Sequence, residues 1–320
     1  MTDGPKAAQG FVEPRERSGK LSIFLRLTRA QFLPLIILPV SVGTALAYSS
    51  THSTNAELFG LALAGSVFLH LGANAIDDCY DYENGVDSKA DSMFPKDFEG
   101  WKPIPRNLIS LPVAKALSFL LLGLSLSFGV YLSIRVGYWA LILGLIGVAL
   151  AYFYTAPPLK LDYRGIGLGE LAIFAAFGPV PVLGSYYVQT GILSMEAFLI
   201  SIPIGIMTVT ILLDHDLIFF EVYRASKKLS LTTVLGRKKA LKLSFALTIA
   251  SYVVILMLAA YRILPVSSIL APLASAFVLF EKWKVYFGED GPPPLYASFT
   301  LRAMLSNWTF SLLLALALAL

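Results

Sequence analysis

The sequence predicts an all-α membrane protein, a bundle of nine transmembrane helices. Three observations carry that expectation. Hydrophobic residues make up 56% and charged residues 14% of the 320, against about 25% charged in ordinary soluble domains, and the mean hydropathy is +0.70. A soluble fold of this length has too little interior for so much apolar surface. Nine apolar stretches approach the ~20 residues that cross a bilayer. The Lys and Arg residues also fall on one side. With the N-terminus in the cytoplasm, the tail, the loops near 77–112, 156–167, 214–240 and 281–302 and their adjoining helix ends hold 23 of the 25, leaving only Arg135 and Arg262 outside. The positive-inside rule then sets a cytoplasmic N-terminus. An odd number of spans puts the C-terminus outside, in a multi-pass protein of the cell (plasma) membrane.

In chain order, residues 1–28 form a polar cytoplasmic tail. No short apolar core with a small-residue cleavage site follows the start, so no removable signal peptide is expected. Residues 29–320 form a single transmembrane domain. Its spans lie near 31–48, 58–76, 113–134, 138–155, 168–188, 195–213, 241–260, 263–280 and 303–320. Pro34, Pro39, Pro179, Pro181, Pro203 and Pro272 fall inside spans, where neighbouring helices can re-satisfy the freed carbonyls. Only "YRIL" separates the seventh span from the eighth. The cytoplasmic cap loops are about 77–112 and 214–240. Cys79 is the single cysteine, so no internal disulfide can form. Every long polar loop lies on the cytoplasmic face, and chemistry is expected there.

The second span ends in "GANAIDDCYDYENGVDSKAD", Gly72 to Asp91. Residues three and four apart share a helix face, so Asn74, Asp77, Asp78 and Asp81 project together. Solvated helix ends in membranes more often carry Lys or Arg, and acids packed at such an end mark function. Several carboxylates without clustered His or Cys suit a hard cation such as Mg2+, which keeps waters and bridges carboxylates to phosphate oxygens.

After the sixth span comes "ILLDHDLIFFEVYRASKKLSLTTVLGRKKA". Asp214, Asp216 and Glu221 could hold metal, and Arg224, Lys227 and Lys228 could hold phosphate oxygens. Arg237–Lys239 reads as membrane anchoring. A third stretch, "YFYTAPPLKLDYRGIGLGE", places Lys160, Tyr163 and Arg164 at the mouth of the bundle, with Glu170 opening the next span. There a lone charge is costly unless paired.

At these residues the chain resembles the UbiA superfamily of intramembrane prenyltransferases, nearest its dihydroxynaphthoate prenyltransferase branch. "NAIDDCYDYENGVDSKAD" is similar to the first aspartate-rich motif. "YTAPPLKLDYRGIGLGELAIFAAFGPVPVLGSYYVQTG" and "TRAQFLPLIILPVSVGTALA" resemble that branch, and the likeness covers most of residues 27–240. It implies that two aspartate-rich motifs hold two Mg2+ ions, which bind an isoprenyl diphosphate for attack by an aromatic acceptor. By position, Asp78, Asp81 and Asp87 match acids of the first motif, and Asp77 stands where Asn is usual. Asn74, Arg29, Tyr154, Tyr163, Arg164 and Glu170 also match. The second motif departs, because its usual acids fall at Phe219 and Tyr223. Either Asp214, Asp216 and Glu221 take over from shifted positions or the second metal site is altered.

The expected catalytic residues are therefore Asp78, Asp81, Tyr154, Arg164 and Lys228. Substrate binding is expected from Arg29, Asn74, Lys160, Tyr163, Glu170, Arg224 and Lys227. Metal binding is expected from Asp77, Asp78, Asp81, Asp87, Asp214, Asp216 and Glu221. Diphosphate departs once its charge is neutralised, and the allylic cation left behind needs a chamber that excludes water. The expectation is a central cavity opening to the cytoplasmic side. The partners are an isoprenyl diphosphate, an aromatic acceptor of quinone or naphthoate type and the bilayer, with no nucleic acid. "KPIPRNLIS", Lys102 to Ser110, resembles branches that make archaeal ether lipids or haem O, which keeps those acceptors as alternatives. An ion-coupled transporter is the competing class, but it would set acids near the bilayer midplane, whereas here they gather at one end.

Overall fold

A computed structural model of the chain describes residues 19–94, 102–286 and 293–320. The tail expected over 1–28 lies mostly outside these residues. The described residues hold α-helices and short 3-10 turns and no strand. In order, α1 (Lys20–Leu27) leads through a 3-10 turn into α2 (Pro34–Thr51), and α3 (Ala56–Glu83) is followed by the short α4 (Val86–Met93). Next come α5 (Leu111–Val136), α6 (Trp139–Phe153), α7 (Leu168–Phe177), α8 (Pro179–Thr190) and α9 (Met195–Ile218). The short α10 (Phe220–Ala225) and α11 (Leu231–Leu235) precede α12 (Arg237–Ala260), α13 (Leu270–Ser275), α14 (Phe277–Tyr286) and α15 (Pro293–Ala319).

Among the described residues, seven helical segments are long and apolar enough to cross a membrane, and the remaining two expected spans are shorter, at Trp139–Phe153 and Val266–Phe280. The second of these is shortened by local chemistry. The chain turns after α12 with Arg262 left-handed at φ 58°, and Pro265 then opens a 3-10 turn rather than continuing a helix. The span expected at 168–188 is likewise divided, because Pro179 lacks an N–H and starts α8 afresh after Gly178.

Caps mark where helices begin. Asn55 accepts the Leu58 N–H at the start of α3, and Ser194 accepts the Ala197 N–H at the start of α9. Each such cap is worth ~1 kcal/mol. The main core lies between α2, α8, α9, α12 and α15, where Val42, Leu46, Ile204, Met207, Ile255 and Phe310 are buried together. α3 packs along α5. Phe119, Leu120, Leu145, Leu256 and Leu316 are exposed. Helices that are apolar on their outer as well as their inner faces suit lipid as solvent.

A shallow polar hollow lined by Thr51, Ser53, Asn55 and Gln189 sits at the start of α3. The acids sit toward the other end of that 28-residue helix, roughly 30–40 Å away at 1.5 Å per residue.

Candidate active site

Asp77, Asp78 and Asp81 occupy the last turns of α3 and are buried. Carboxylates at a helix C-terminus oppose the negative end of the macrodipole, so burial there demands cations. The fold supplies three. Gly85, at φ 77°, takes the left-handed turn that suits glycine and folds α4 back, which returns Asp87 toward Asp78. Arg29, left-handed at φ 47° between α1 and the next turn, donates from Nη2 to Asp77 Oδ2 at 2.8 Å and to Asp78 Oδ1. Lys102 donates to the same Asp78 oxygen and lies 3.6 Å from Asp87 Oδ1.

The second half of the site surrounds Lys228. Its ammonium is 2.6 Å from Asp162 Oδ2 and 3.3 Å from Asp81 Oδ2, with the ring centroids of Tyr223 and Tyr163 at 4.6 and 4.8 Å. The Tyr163 hydroxyl donates to Asp81 Oδ1. Asp162 is placed by its own N–H, which donates to the Tyr154 carbonyl at 3.0 Å. Gly169 lets the next helix approach it, since a Cβ there would lie 3.0 Å from Asp162 Cα. Lys160 donates to Asn84 Oδ1 at 2.7 Å, and the Asn84 amide faces the Tyr163 hydroxyl at 3.4 Å.

Charge and burial pull against each other here. Burial pushes the Asp87 carboxyl up to about 8, Lys102 opposing and Asp78 and Asp81 adding to the rise. Burial also lifts Asp162 to about 6, with Lys228 opposing. For Lys228 burial favours the neutral amine, but Asp162 and Asp81 outweigh it and hold the ammonium well above the ordinary lysine value.

The other expected residues are placed unevenly. Asn74 donates to the His70 carbonyl one turn back on its own helix. Tyr154 and Glu170 flank the Asp162 side, and Glu170 Oε1 is buried without a hydrogen-bond partner. Arg164 does not join the acids; it is exposed and donates to the Leu159 and Pro158 carbonyls at 2.6 and 3.0 Å, bracing the loop. Arg224 and Lys227 are exposed. The expectation that Asp214, Asp216 and Glu221 act together is corrected. Asp214 is wholly buried against Lys282 at 2.9 Å and Ser244 at 2.8 Å. Glu221 is exposed and pairs with Arg237 at 3.0 Å. Only Asp216 turns toward Asp162 and Lys228, with one oxygen buried and unpartnered. Phe219 and Tyr223, where the resemblance sets the second acid pair, are stacked rings with centroids 5.9 Å apart.

Three members of the cluster escaped the sequence-based assignment: Lys102, Asp162 and Asn84. Each lay inside a stretch already singled out, and Asp162 sits between two residues that were named. Nothing local distinguishes it from a loop aspartate.

Asp77 Oδ1, Asp78 Oδ2 and Asp87 Oδ2 are buried and have no hydrogen-bond partner. Unpartnered carboxylate oxygens at this depth are costly, and hard oxygen donors are what Mg2+ takes. Among the described residues no three acids close around an ion by themselves, since Arg29 and Lys102 stand between them. The donor set therefore fits an open-sided site, in which the protein gives a few oxygens and phosphate and water give the rest.

The chain is similar to known proteins. Residues 36–302 match the UbiA prenyltransferase family. The chain is 28% identical over 245 residues to the 1,4-dihydroxy-2-naphthoate octaprenyltransferase of Bacillus subtilis, covering 77% of this chain and 76% of that one. It is 28% identical to the 2-carboxy-1,4-naphthoquinone phytyltransferase of Synechocystis, covering 71% and 70%. A UbiA homolog from Archaeoglobus fulgidus, solved bound to DMAPP and Mg2+, shares the fold with a TM-score of 0.63 at 17% identity, over 91% of this chain and 99% of that one. With a family match spanning most of its length, the chain belongs to the UbiA prenyltransferase family and is a prenyltransferase enzyme.

Proposed function

We propose that this enzyme moves an isoprenyl group from an isoprenyl diphosphate to an aromatic acceptor of naphthoate or quinone type, with Mg2+. The reaction takes place in a central cavity of a nine-helix bundle that opens to the cytoplasmic face of the cell membrane, the N-terminus on that same face and the C-terminus outside. The observation that carries the reading is the set of buried acids at the end of α3 and start of α4, interleaved with Arg29 and Lys102 and retaining unpartnered oxygens. A metal-bound diphosphate answers both needs. The spare oxygens of Asp77, Asp78 and Asp87 would be open to its metal, and Arg29 and Lys102 would offer N–H donors to its phosphate oxygens.

Asp77, Asp78 and Asp87 would hold Mg2+, with Asp81 completing the acidic face. When bound, Mg2+ supplies Lewis-acid neutralisation of the diphosphate. Arg29 and Lys102 keep 21% and 16% of their side chains exposed, enough to turn from carboxylate to phosphate and stabilise the charge that grows as it leaves. Lys228 adds a fixed positive charge on the other side. Tyr163 orients Asp81 through its hydroxyl, and Asn84 orients Lys160. The apolar surroundings exclude water from the allylic cation. They also let the prenyl chain stay in lipid, which saves ~0.8 kcal/mol per CH2 that would otherwise enter water.

The naphthoate-type relatives, at 28% identity, favour that acceptor class. A second reading, transfer to an ether-lipid acceptor, draws on the fold shared with digeranylgeranylglyceryl phosphate synthase at 16% identity. Purified enzyme given labelled geranylgeranyl diphosphate, Mg2+ and a panel of acceptors decides between them. Labelled naphthoate or quinone product is expected. Product only with a glyceryl-phosphate lipid selects the second reading, and no prenyl product with any acceptor rejects both.

A further inference from the structure

The face of α3 that carries the acids continues deeper into the bundle. His70, Asn74, Asp77 and Asp81 are spaced by four, three and four residues, so they line one side of the helix. Asp77 and Asp81 end in the charged cluster, and Asn74 turns back to the His70 carbonyl. His70 lies at the middle of α3, seven residues before Asp77, or roughly 10 Å at 1.5 Å per residue.

His70 is 5% exposed, and its Nε2 is buried without a hydrogen-bond partner. Its ring meets that of Phe177 edge to face, with centroids 5.7 Å apart and planes at 84°. Phe177 in turn packs with Leu35, Ile211 and Trp308, which come from α2, α9 and α15. The histidine therefore faces the inside of the bundle rather than lipid. Packing alone is a poor account of it. An apolar side chain of similar size would fill the place without leaving a buried nitrogen unpaired, which costs stability. Departures of this kind gather at sites that meet a ligand.

The reaction supplies a partner of the right kind. The prenyl carbon leaves a diphosphate held at the acids, and the attacking ring carbon must come within ~3–3.5 Å of it. The flat body of the acceptor then extends from the diphosphate into the apolar interior, with hydroxyls at its ring edge. A hydroxyl both donates and accepts, so it can pair with Nε2 in either tautomer of the imidazole.

We infer that His70 Nε2 hydrogen-bonds a ring-edge hydroxyl of the aromatic acceptor and so helps to set which acceptors fit. The inference rests on the proposed aromatic-acceptor reading and adds to it the residue that recognises the ring.

Steady-state kinetics of the full chain in detergent test it, with geranylgeranyl diphosphate, Mg2+ and 1,4-dihydroxy-2-naphthoate as the probe acceptor. His70→Leu is expected to raise KM for the naphthoate about tenfold, as for the loss of one hydrogen bond, with KM for the diphosphate unchanged. His70→Gln keeps a hydrogen-bonding group and is expected to stay within about threefold of the unmodified chain. An unchanged naphthoate KM in His70→Leu, or both KM values rising together, would overturn the inference and leave the proposed function standing. A loss in His70→Gln as large as that in His70→Leu would overturn it too. No transfer to the naphthoate by the unmodified chain would overturn both the acceptor reading and this inference. Should His70→Leu fail to fold, His70→Phe keeps a ring against Phe177, deletes both nitrogens and decides in its place.

Discussion

Replacing Lys282 with Met separates two roles for Asp214. The sequence marked Asp214 as a metal ligand. The structure instead buries it completely against Lys282, 2.9 Å away and equally buried, with Ser244 donating to it and Lys282 donating to Ser244 at 2.7 Å. The triad ties α9, α12 and α14 together. Lys282→Met leaves the carboxylate buried without its counter-charge, which costs ~3–5 kcal/mol. At 1.4 kcal/mol per tenfold, the ratio of folded to unfolded protein falls roughly a hundredfold or more. Converting both partners, as Asp214→Leu with Lys282→Met, removes the charges together. It should recover most of that loss, because well-packed apolar replacements of buried pairs are often neutral or better. The assay is equilibrium unfolding in mixed detergent micelles, followed by prenyl transfer on the folded double variant. A structural pair predicts an unstable single variant and a stable double variant that retains activity. A double variant that is stable yet inactive, with Mg2+ affinity lost, would refute the reasoning and return Asp214 to the metal site.

Further predictions concern the site itself. Asp78→Asn should lower turnover by at least ~100-fold while the protein stays folded by circular dichroism in detergent; normal Mg2+-dependent activity would remove Asp78 from the metal role. Tyr163→Phe deletes one donor to the Asp81 carboxylate, a bond worth ~1.5–3 kcal/mol, and steady-state kinetics should show kcat/KM down by about tenfold or more. Gly169→Ala forces a Cβ to within 3.0 Å of Asp162 Cα, where overpacking costs ~1–3 kcal/mol; an unfolding midpoint equal to the wild type would contradict that close approach. Arg224→Ala and Lys227→Ala alter exposed side chains and should change activity by less than about threefold, since exposed charges contribute little; a large loss in either would bring the 224–227 loop into the substrate site.

Much of the architecture was legible because hydropathy and charge are local. The stretches behind α2, α3, α5, α9, α12 and α15 announce themselves by apolar length, and Asp77, Asp78 and Asp81 by helical spacing. α6 was legible nearly to its ends, whereas the span expected at 263–280 and the divided one expected at 168–188 were legible as apolar stretches but not in their true lengths. Those lengths depend on Pro179 and on the turns that neighbouring helices accommodate. Arg164 illustrates the opposite error. Its position within a motif suggested chemistry, and only the loop's path showed its guanidinium occupied by backbone carbonyls.

The sequence by itself determined that this chain lives in a bilayer and gathers acids at one end of a long helix, because those properties reside in neighbouring residues. The tertiary structure alone decided which charges meet. Lys228 reaches Asp81 across 147 positions and Lys282 reaches Asp214 from a separate helix. Such pairings are set by how helices pack, and each acid's cost of burial is settled only by the cation that packing brings to it.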